Sequence, residues 1–287
     1  MNKLSLITIV TPSFNQSKFL EASIQSVLCQ DYPHIEYIIV DGGSTDNSID
    51  TIRKYENQVT NWVSEPDTGQ SNAINKGFLK ASGNILAWLN SDDLLTPSAA
   101  RVATYYLTKY PHIGVVYGDR LHIDSKGNVV GINQAPAYKK NMFKRNFTLP
   151  QETVFFRKEI FERVGGLDES LHFSMDFDLW CKMSKVTHMF HIPAVMGYFR
   201  EHDTAKSVVV HQSKRSDSLR YRREHEEVYS KHFGGFLPSP VKMKWYRLFR
   251  RLHLLIEQRS NAYRQEVLNI RSVISQQYQD ALRTPTK

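Results

Sequence analysis

Cysteine is scarce in this 287-residue chain, which has only Cys29 and Cys181. Two such distant thiols make no disulfide framework and match no zinc spacing, so a reducing compartment is expected. Long apolar runs are missing as well, and nothing approaches the roughly 18 residues a membrane-spanning helix needs. The run Leu4–Val10 is too short for the apolar region of a secretory signal and leads straight into a turn, so a cytoplasmic location is expected. In a cytosolic chain the N-x-S/T matches at Asn15 and Asn146 carry no weight. The phosphate cradles G-x-G-x-x-G and G-x-x-x-x-G-K-[ST] are absent, which leaves dinucleotide and P-loop readings unsupported. There is no internal repeat and no low-complexity tract.

Charge is plentiful but uneven. Residues 1–205 carry 20 Lys/Arg against 22 Asp/Glu, whereas residues 206–287 carry 17 against 7. A near-neutral module is therefore followed by a basic appendage. Basic charge suits nucleic acid, anionic lipid or an acidic partner, and the sign alone does not choose. With 41% hydrophobic residues, the chain can build one large domain and an appendage.

Within the first hundred residues, β-branched runs alternate with helical patterns. Strands are predicted at Leu4–Val10, Tyr37–Asp41, Asn61–Ser64 and Ile85–Leu89. Helices are predicted through Phe19–Leu28, through Ile49, Ile52 and Tyr55, and through Ala73, Ile74, Phe78 and Ala81. Such alternation predicts an α/β fold with a Rossmann-like, mostly parallel sheet flanked by helices. Ligands of such sheets bind at the carboxyl ends of the strands. Beyond residue 96 the pattern predicts a helix over 97–110, then a hairpin turning at Lys126-Gly127-Asn128. A strand at QETVFF, a helix ending at Gly165-Gly166 and a helix containing FDLWCKM follow. From about His211 the chain reads as charged helix, broken at Pro238 and Pro240.

The most informative segment is ILAWLNSDDLL, where Asp92 and Asp93 follow directly on an apolar strand. Paired carboxylates are costly to desolvate without a cation nearby. Mg²⁺ and Mn²⁺ are held by one or two carboxylates, with phosphates and water completing the shell. The pair therefore points either to a metal–diphosphate site or to an acidic cap on the next helix. Other strand ends are also polar. Thr11-Pro12-Ser13-Phe14-Asn15 offers backbone groups and an aromatic face. In Asp41-Gly42-Gly43-Ser44-Thr45-Asp46 the glycines permit close backbone approach, and Asp41 can accept from a base imide or the turn can simply cap a helix. After strand three come Glu65-Pro66-Asp67-Thr68-Gly69-Gln70 and Lys76, which either faces a phosphate or is a solvated helix lysine.

The ordered set TPSFN, DGGSTD, EPDTGQSNAINKG, LAWLNSDD, PQETVFF, VGGLDESL, MDFDLW and YFREHDTAKS resembles the family 2 glycosyltransferases, an inverting family with the fold known as GT-A. The resemblance covers roughly residues 5–207. It implies a catalytic domain over 1–205, with a nucleotide-sugar half (1–95) and an acceptor half (96–205), and a basic helical C-terminal extension over 206–287. It implies donor contacts from Thr11, Pro12, Ser13, Phe14, Asp41, Gly43, Asp67, Asn90, Ser91 and Asp92, with Asp41 on uracil if the donor is a UDP-sugar. Asn90-Ser91-Asp92 occupies the place of the family's Asp-x-Asp metal motif, so Asn90 is a departure that supplies no charge. Asp92, Asp93 and His202 are the implied metal-side residues for Mg²⁺ or Mn²⁺. Asp176 aligns with the proposed general base, while Gln151, Glu152 and Trp180 are placed on the acceptor side, Glu152 as the backup base. An inverting transfer needs one such carboxylate opposite the leaving group.

In the tail, Val241, Trp245, Leu248, Phe249, Leu252, Leu255 and Ile256 share one helical face amid Lys242, Lys244, Arg247, Arg250 and Arg251. Such a helix either lies on an anionic membrane surface, making the protein peripheral to the inner face of the membrane, or packs on the domain or on a second subunit. Nucleic acid is not an expected partner, because no binding motif is present. The expected reaction moves a sugar from a nucleotide-sugar to a hydroxyl of a glycan or lipid-linked acceptor. The alternatives are a sugar-nucleotide-binding protein without transferase activity and a metal-dependent nucleotidyltransferase.

Overall fold

The computed structural model describes residues 5–206 and 215–239. Its first half is built as the alternation dictates. Strands β1 (Ile7–Ser13), β2 (Ile35–Asp41), β3 (Asn61–Ser64) and β4 (Ile85–Trp88) are joined by helices α1 (Ser17–Leu28), α2 (Ser48–Lys54) and α3 (Gln70–Leu79). They pair in parallel in the order β3-β2-β1-β4. Alternate residues of each strand feed opposite faces, as the two-residue period requires. Val10, Ile38 and Val40 pack under α3 with Ala73, Ile74 and Phe78, while Ile9, Tyr37 and Ile39 pack against α1 and α2 with Leu20, Ile24 and Ile52. The α3 contact is close enough that a Cβ on Gly77 would lie 2.5 Å from Val10 Cγ1.

The second half is mixed, not parallel. It comprises β5 (Leu94–Leu95), α4 (Ala99–Lys109), β6 (Ile113–Ile123), β7 (Val129–Asn133), β8 (Phe155–Arg157), α5 (Lys158–Arg163), α6 (Met175–Ser184) and β9 (His188–Arg200). The full order is β3-β2-β1-β4-β8-β6-β9-β5, with β7 paired to β6. Strand β8 runs antiparallel to β4 and β6, and β9 runs parallel to β6. The hairpin predicted around Lys126-Gly127-Asn128 is β6–β7.

Two local predictions need correction. QETVFF is not one strand: Gln151–Thr153 form a 3₁₀ turn and only Phe155–Arg157 extend. The turn closes because Thr153 donates both its backbone N–H and its hydroxyl to the Pro150 carbonyl, at 3.0 and 2.8 Å. Strand β9 was not predicted at all, because Pro193 interrupts its apolar pattern. The pairing of β6 with β9 shifts register between Tyr117 and Asp119 and again at Arg120, and this irregularity accommodates the proline.

Helix α7 (Arg215–Phe233) packs on α6 and belongs to the same compact unit, which ends at Leu237. The amphipathic stretch expected over 241–256 lies outside the described residues. Among the described residues, no helix is long and apolar enough to cross a membrane.

Candidate active site

The polar residues gather where β1, β2 and β4 end, joined by the end of β9 and the 3₁₀ turn. The register places Ser13 beside Asp41 and Val10 beside Trp88, so the loops after these strands emerge side by side. Thr11 is buried, with Oγ1 3.0 Å from the Tyr37 hydroxyl. Ser13 is buried too, and its hydroxyl has no hydrogen-bond partner among the described residues. Phe14 is 58% exposed and offers an aromatic face to a planar ligand. Asn15 holds this turn in a left-handed conformation (φ 52°), and its side-chain carbonyl accepts the Thr45 N–H at 2.8 Å.

Asp41 behaves differently from the expectation of a base contact. Its carboxylate is fully buried and accepts hydrogen bonds from the Gly43 and Ser44 N–H groups and from the Ser44 and Ser64 hydroxyls. Both oxygens are thereby committed, so Asp41 organises the loop instead of facing a base. Gly43 takes a left-handed conformation (φ 81°), and Asp67 lies so close to Gly42 that a Cβ there would meet its carboxylate. Lys76 is ion-paired to Glu65 at 2.8 Å, the solvated alternative.

After β4 the chain delivers the acidic pair, and its two members separate. Asp92 retains 20% side-chain exposure, with Oδ2 3.0 Å from His202 Nε2. His202 is buried, its ring 4.5 Å from that of Phe19 and its Nδ1 2.9 Å from the Thr204 hydroxyl. Asp93 turns inward and is 2% exposed, accepting the Arg200 backbone N–H at 2.9 Å. Burial, then the neighbouring Asp92 and Glu152 charges, hold its carboxyl well above the usual range. Asp93 is thus a structural acid beneath the site, a correction to its expected metal-side place. Asp92 and His202 fit the chemistry of a divalent-ion site that phosphate oxygens complete. Among the described residues no three His, Cys, Asp or Glu side chains converge as a ready-made cage.

Asn90 lies between Gln70 and Gln151, at 2.8 and 2.9 Å, and 3.3 Å from Asp93 Oδ2. Glu152 is buried at 2% exposure with Arg120 3.4 Å away, and its Cγ abuts Gly197, where a Cβ would intrude at 2.8 Å. Trp180 is another correction. It is fully buried and stacked on Trp88 at 5.4 Å, a core residue that presents nothing to an acceptor.

Asp176 sits in the first turn of α6, and its Oδ1 accepts the Phe177 N–H at 2.7 Å. Burial pushes its carboxyl up to about 6, with the charges of Lys206 and Arg120 opposing the rise. The loop before it is fixed by α7: Glu224 accepts the N–H groups of His172, Phe173 and Ser174 at 3.0, 2.6 and 2.6 Å. Two residues on, Asp178 is fully buried against His232 (2.7 Å), Lys182 (3.0 Å) and Lys231 (3.2 Å). Arg200, Lys206 and Glu224 were not singled out from the sequence. Arg200 and Lys206 bracket His202 within the motif that also contains it, whereas nothing local marks Glu224 among the charges of α7.

A glycosyltransferase of Rickettsia typhi is 27% identical over 247 residues, covering 83% of this chain and 74% of its own. The chondroitin synthase of Escherichia coli is 27% identical over 199 residues, which are 67% of this chain but only 28% of that one. Two solved structures share the fold. TarS 1–349 of S. aureus, in complex with UDP-GlcNAc, superposes with a TM-score of 0.60 at 16% identity, covering 80% of this chain and 73% of that one. The mannosyltransferase of Pyrobaculum calidifontis, in complex with GDP-Man and Mn²⁺, gives 0.62 at 18% identity, covering 84% and 68%. Residues 8–165, more than half of the chain, match the family described as glycosyl transferase family 2. The protein is therefore a glycosyltransferase, and the chain belongs to glycosyl transferase family 2.

Proposed function

We propose that this glycosyltransferase takes a nucleotide-activated sugar, a UDP-sugar, and transfers the sugar with inversion to a hydroxyl of a glycan or lipid-linked acceptor. The observation that carries the proposal is Asp176: a carboxylate raised to about 6 by burial, on a clamped helix start, is matched to removing a hydroxyl proton near neutral pH. Arg120 and Lys206 nearby keep that carboxylate ionised enough to act. Phe14 supplies a face for the base, and Asp41 fixes the shape of the adjoining loop by accepting the Gly43 and Ser44 N–H groups. Asp92 and His202, 3.0 Å apart, would hold Mg²⁺ or Mn²⁺, which when bound would stabilise the charge on a departing diphosphate. No covalent nucleophile is required, and Glu152 is too buried to replace Asp176 as base.

Support for the donor comes from the neighbours, one bound to UDP-GlcNAc and another to GDP-Man with Mn²⁺. Calorimetric titration with UDP-, GDP-, dTDP- and CMP-sugars, with Mn²⁺ and then EDTA, tests the reading. Metal-dependent binding of UDP-sugars alone is the expected result. Preference for another base overturns the donor assignment, and undiminished binding in EDTA overturns the metal site. The basic 241–256 stretch is proposed to meet anionic lipid at the inner face of the membrane. Unchanged sedimentation with anionic liposomes after its removal would leave packing on this domain or on a second copy.

A further inference from the structure

The site's departure from the acidic pattern, Asn90, is embedded in a hydrogen-bond chain whose direction is fixed at both ends. At one end, Gln151 donates Nε2–H to the Trp88 backbone carbonyl at 2.8 Å. A carbonyl only accepts, so Gln151 must turn its own Oε1 toward position 90. At the other end, the Lys206 ammonium donates to Gln70 Oε1 at 3.2 Å. An ammonium only donates, so Gln70 must turn Nε2 toward position 90. The residue at 90 therefore faces a donor on one side and an acceptor on the other. Asn90 meets both, accepting from Gln70 at 2.8 Å and donating to Gln151 at 2.9 Å. A carboxylate there would satisfy Gln70 but would set an oxygen against Gln151 Oε1, with the buried Asp93 Oδ2 close by.

We propose that Asn90 is a positioning residue, the central amide of a one-way chain from Lys206 to the Trp88 carbonyl, and not a metal ligand that has lost its charge. The chain ties the start of α3, on the donor side, to the 3₁₀ turn that carries Gln151 and Glu152. Lys206, the donor at the head of the chain, also carries a charge that opposes the rise at Asp176. The functional part of the inference rests on the donor-and-acceptor reading above. Its consequence runs against the motif: restoring an acid at position 90 damages the site.

The test is a double-mutant cycle of Asn90→Asp, Gln151→Lys and their combination, read by thermal melting and by titration of a UDP-sugar with Mn²⁺. Asn90→Asp is expected to lower the melting temperature by about 2–5 °C, as the loss of one partly buried hydrogen bond does. It should also weaken donor binding about tenfold at saturating Mn²⁺. Gln151→Lys alone, which sets a donor against Asn90 Nδ2, should be similarly impaired. The combination should recover most of both losses, because the introduced ammonium can donate to the introduced carboxylate and to Trp88 together. Tighter Mn²⁺ dependence or an unchanged melting temperature in Asn90→Asp overturns the relay, as do losses that simply add in the combination. If the unmodified protein binds no UDP-sugar, the donor reading fails, and the melting cycle alone still decides the relay by recovery or additivity.

Discussion

At the scale of single residues, Asp176 carries the sharpest expectation. As the base it must be ionised, so turnover should fall as pH drops through about 6, while donor binding is retained. Asp176→Asn should keep the donor affinity and lose most turnover, at least about 100-fold; a variant that turns over normally ends the assignment. The same shift acts on stability with a definite sign. Because the folded carboxyl holds its proton more tightly than the unfolded one, its contribution is favourable below about pH 4 and is lost as pH rises through about 6. At pH 8 Asp176→Asn should therefore stabilise the protein, by up to about 3 kcal/mol, with little effect near pH 4. Denaturant unfolding of both forms at the two pH values measures this. The type of residue at 176 was legible from its motif, but its titration was not, because burial is a tertiary property. Asp93 shows the same limit: adjacent acids read alike in sequence, yet the turn after β4 sends one to the surface and the other inward.

At the scale of elements, the parallel half was legible because β1, β2 and β4 are buried on both faces over most of their length and read as largely apolar runs, with β3 as a half-exposed edge. The second half was less so. The Gln151–Thr153 turn runs straight into Val154, Phe155 and Phe156, which carry the strand signal, and is closed by the Pro150 carbonyl, while β9 hides behind Pro193. Helix α7 was legible as a helix but not as part of the site. Its grip on α6 passes through Asp178, where burial alone would raise the carboxyl. The hydrogen bonds from His232 and Lys182 and the charges of Lys182 and Lys231 hold it far below its ordinary range instead. That depression contributes stability above about pH 4, which is lost as pH falls toward the folded value. Asp178→Ala strands His232 and the lysines, and breaking such a buried pair costs about 3–5 kcal/mol. Denaturant unfolding at pH 7 should show that loss, accompanied by reduced turnover because α6 also carries Asp176. A loss under 1 kcal/mol would mean that α7 merely rests on α6.

At the scale of the whole molecule, the charge divide between residues 205 and 206 is not the structural divide. The compact unit that holds the site continues to Leu237. Composition reported the excess of Lys and Arg beyond 206, but composition cannot show that Glu224, His225, Tyr229 and His232 point back into the catalytic unit. Glu224 caps the loop before Asp176, His225 Nδ1 lies 3.2 Å from the Ser174 hydroxyl, and the Tyr229 hydroxyl donates to the Lys144 carbonyl at 2.9 Å. Truncation after Leu237 should therefore leave the melting transition and donor binding of the catalytic unit intact. Truncation after Lys206 should abolish cooperative melting or lower its midpoint by well over 10 °C, since several buried contacts are lost together. Glu224→Ala in the full chain separates the clamp from bulk packing. Its backbone donors lose their acceptor, so turnover should fall more than donor affinity does, because what loosens is the start of α6 and not the donor loops. Equal melting and turnover of the two truncated proteins would return the boundary to 205 and make α7 an appendage after all.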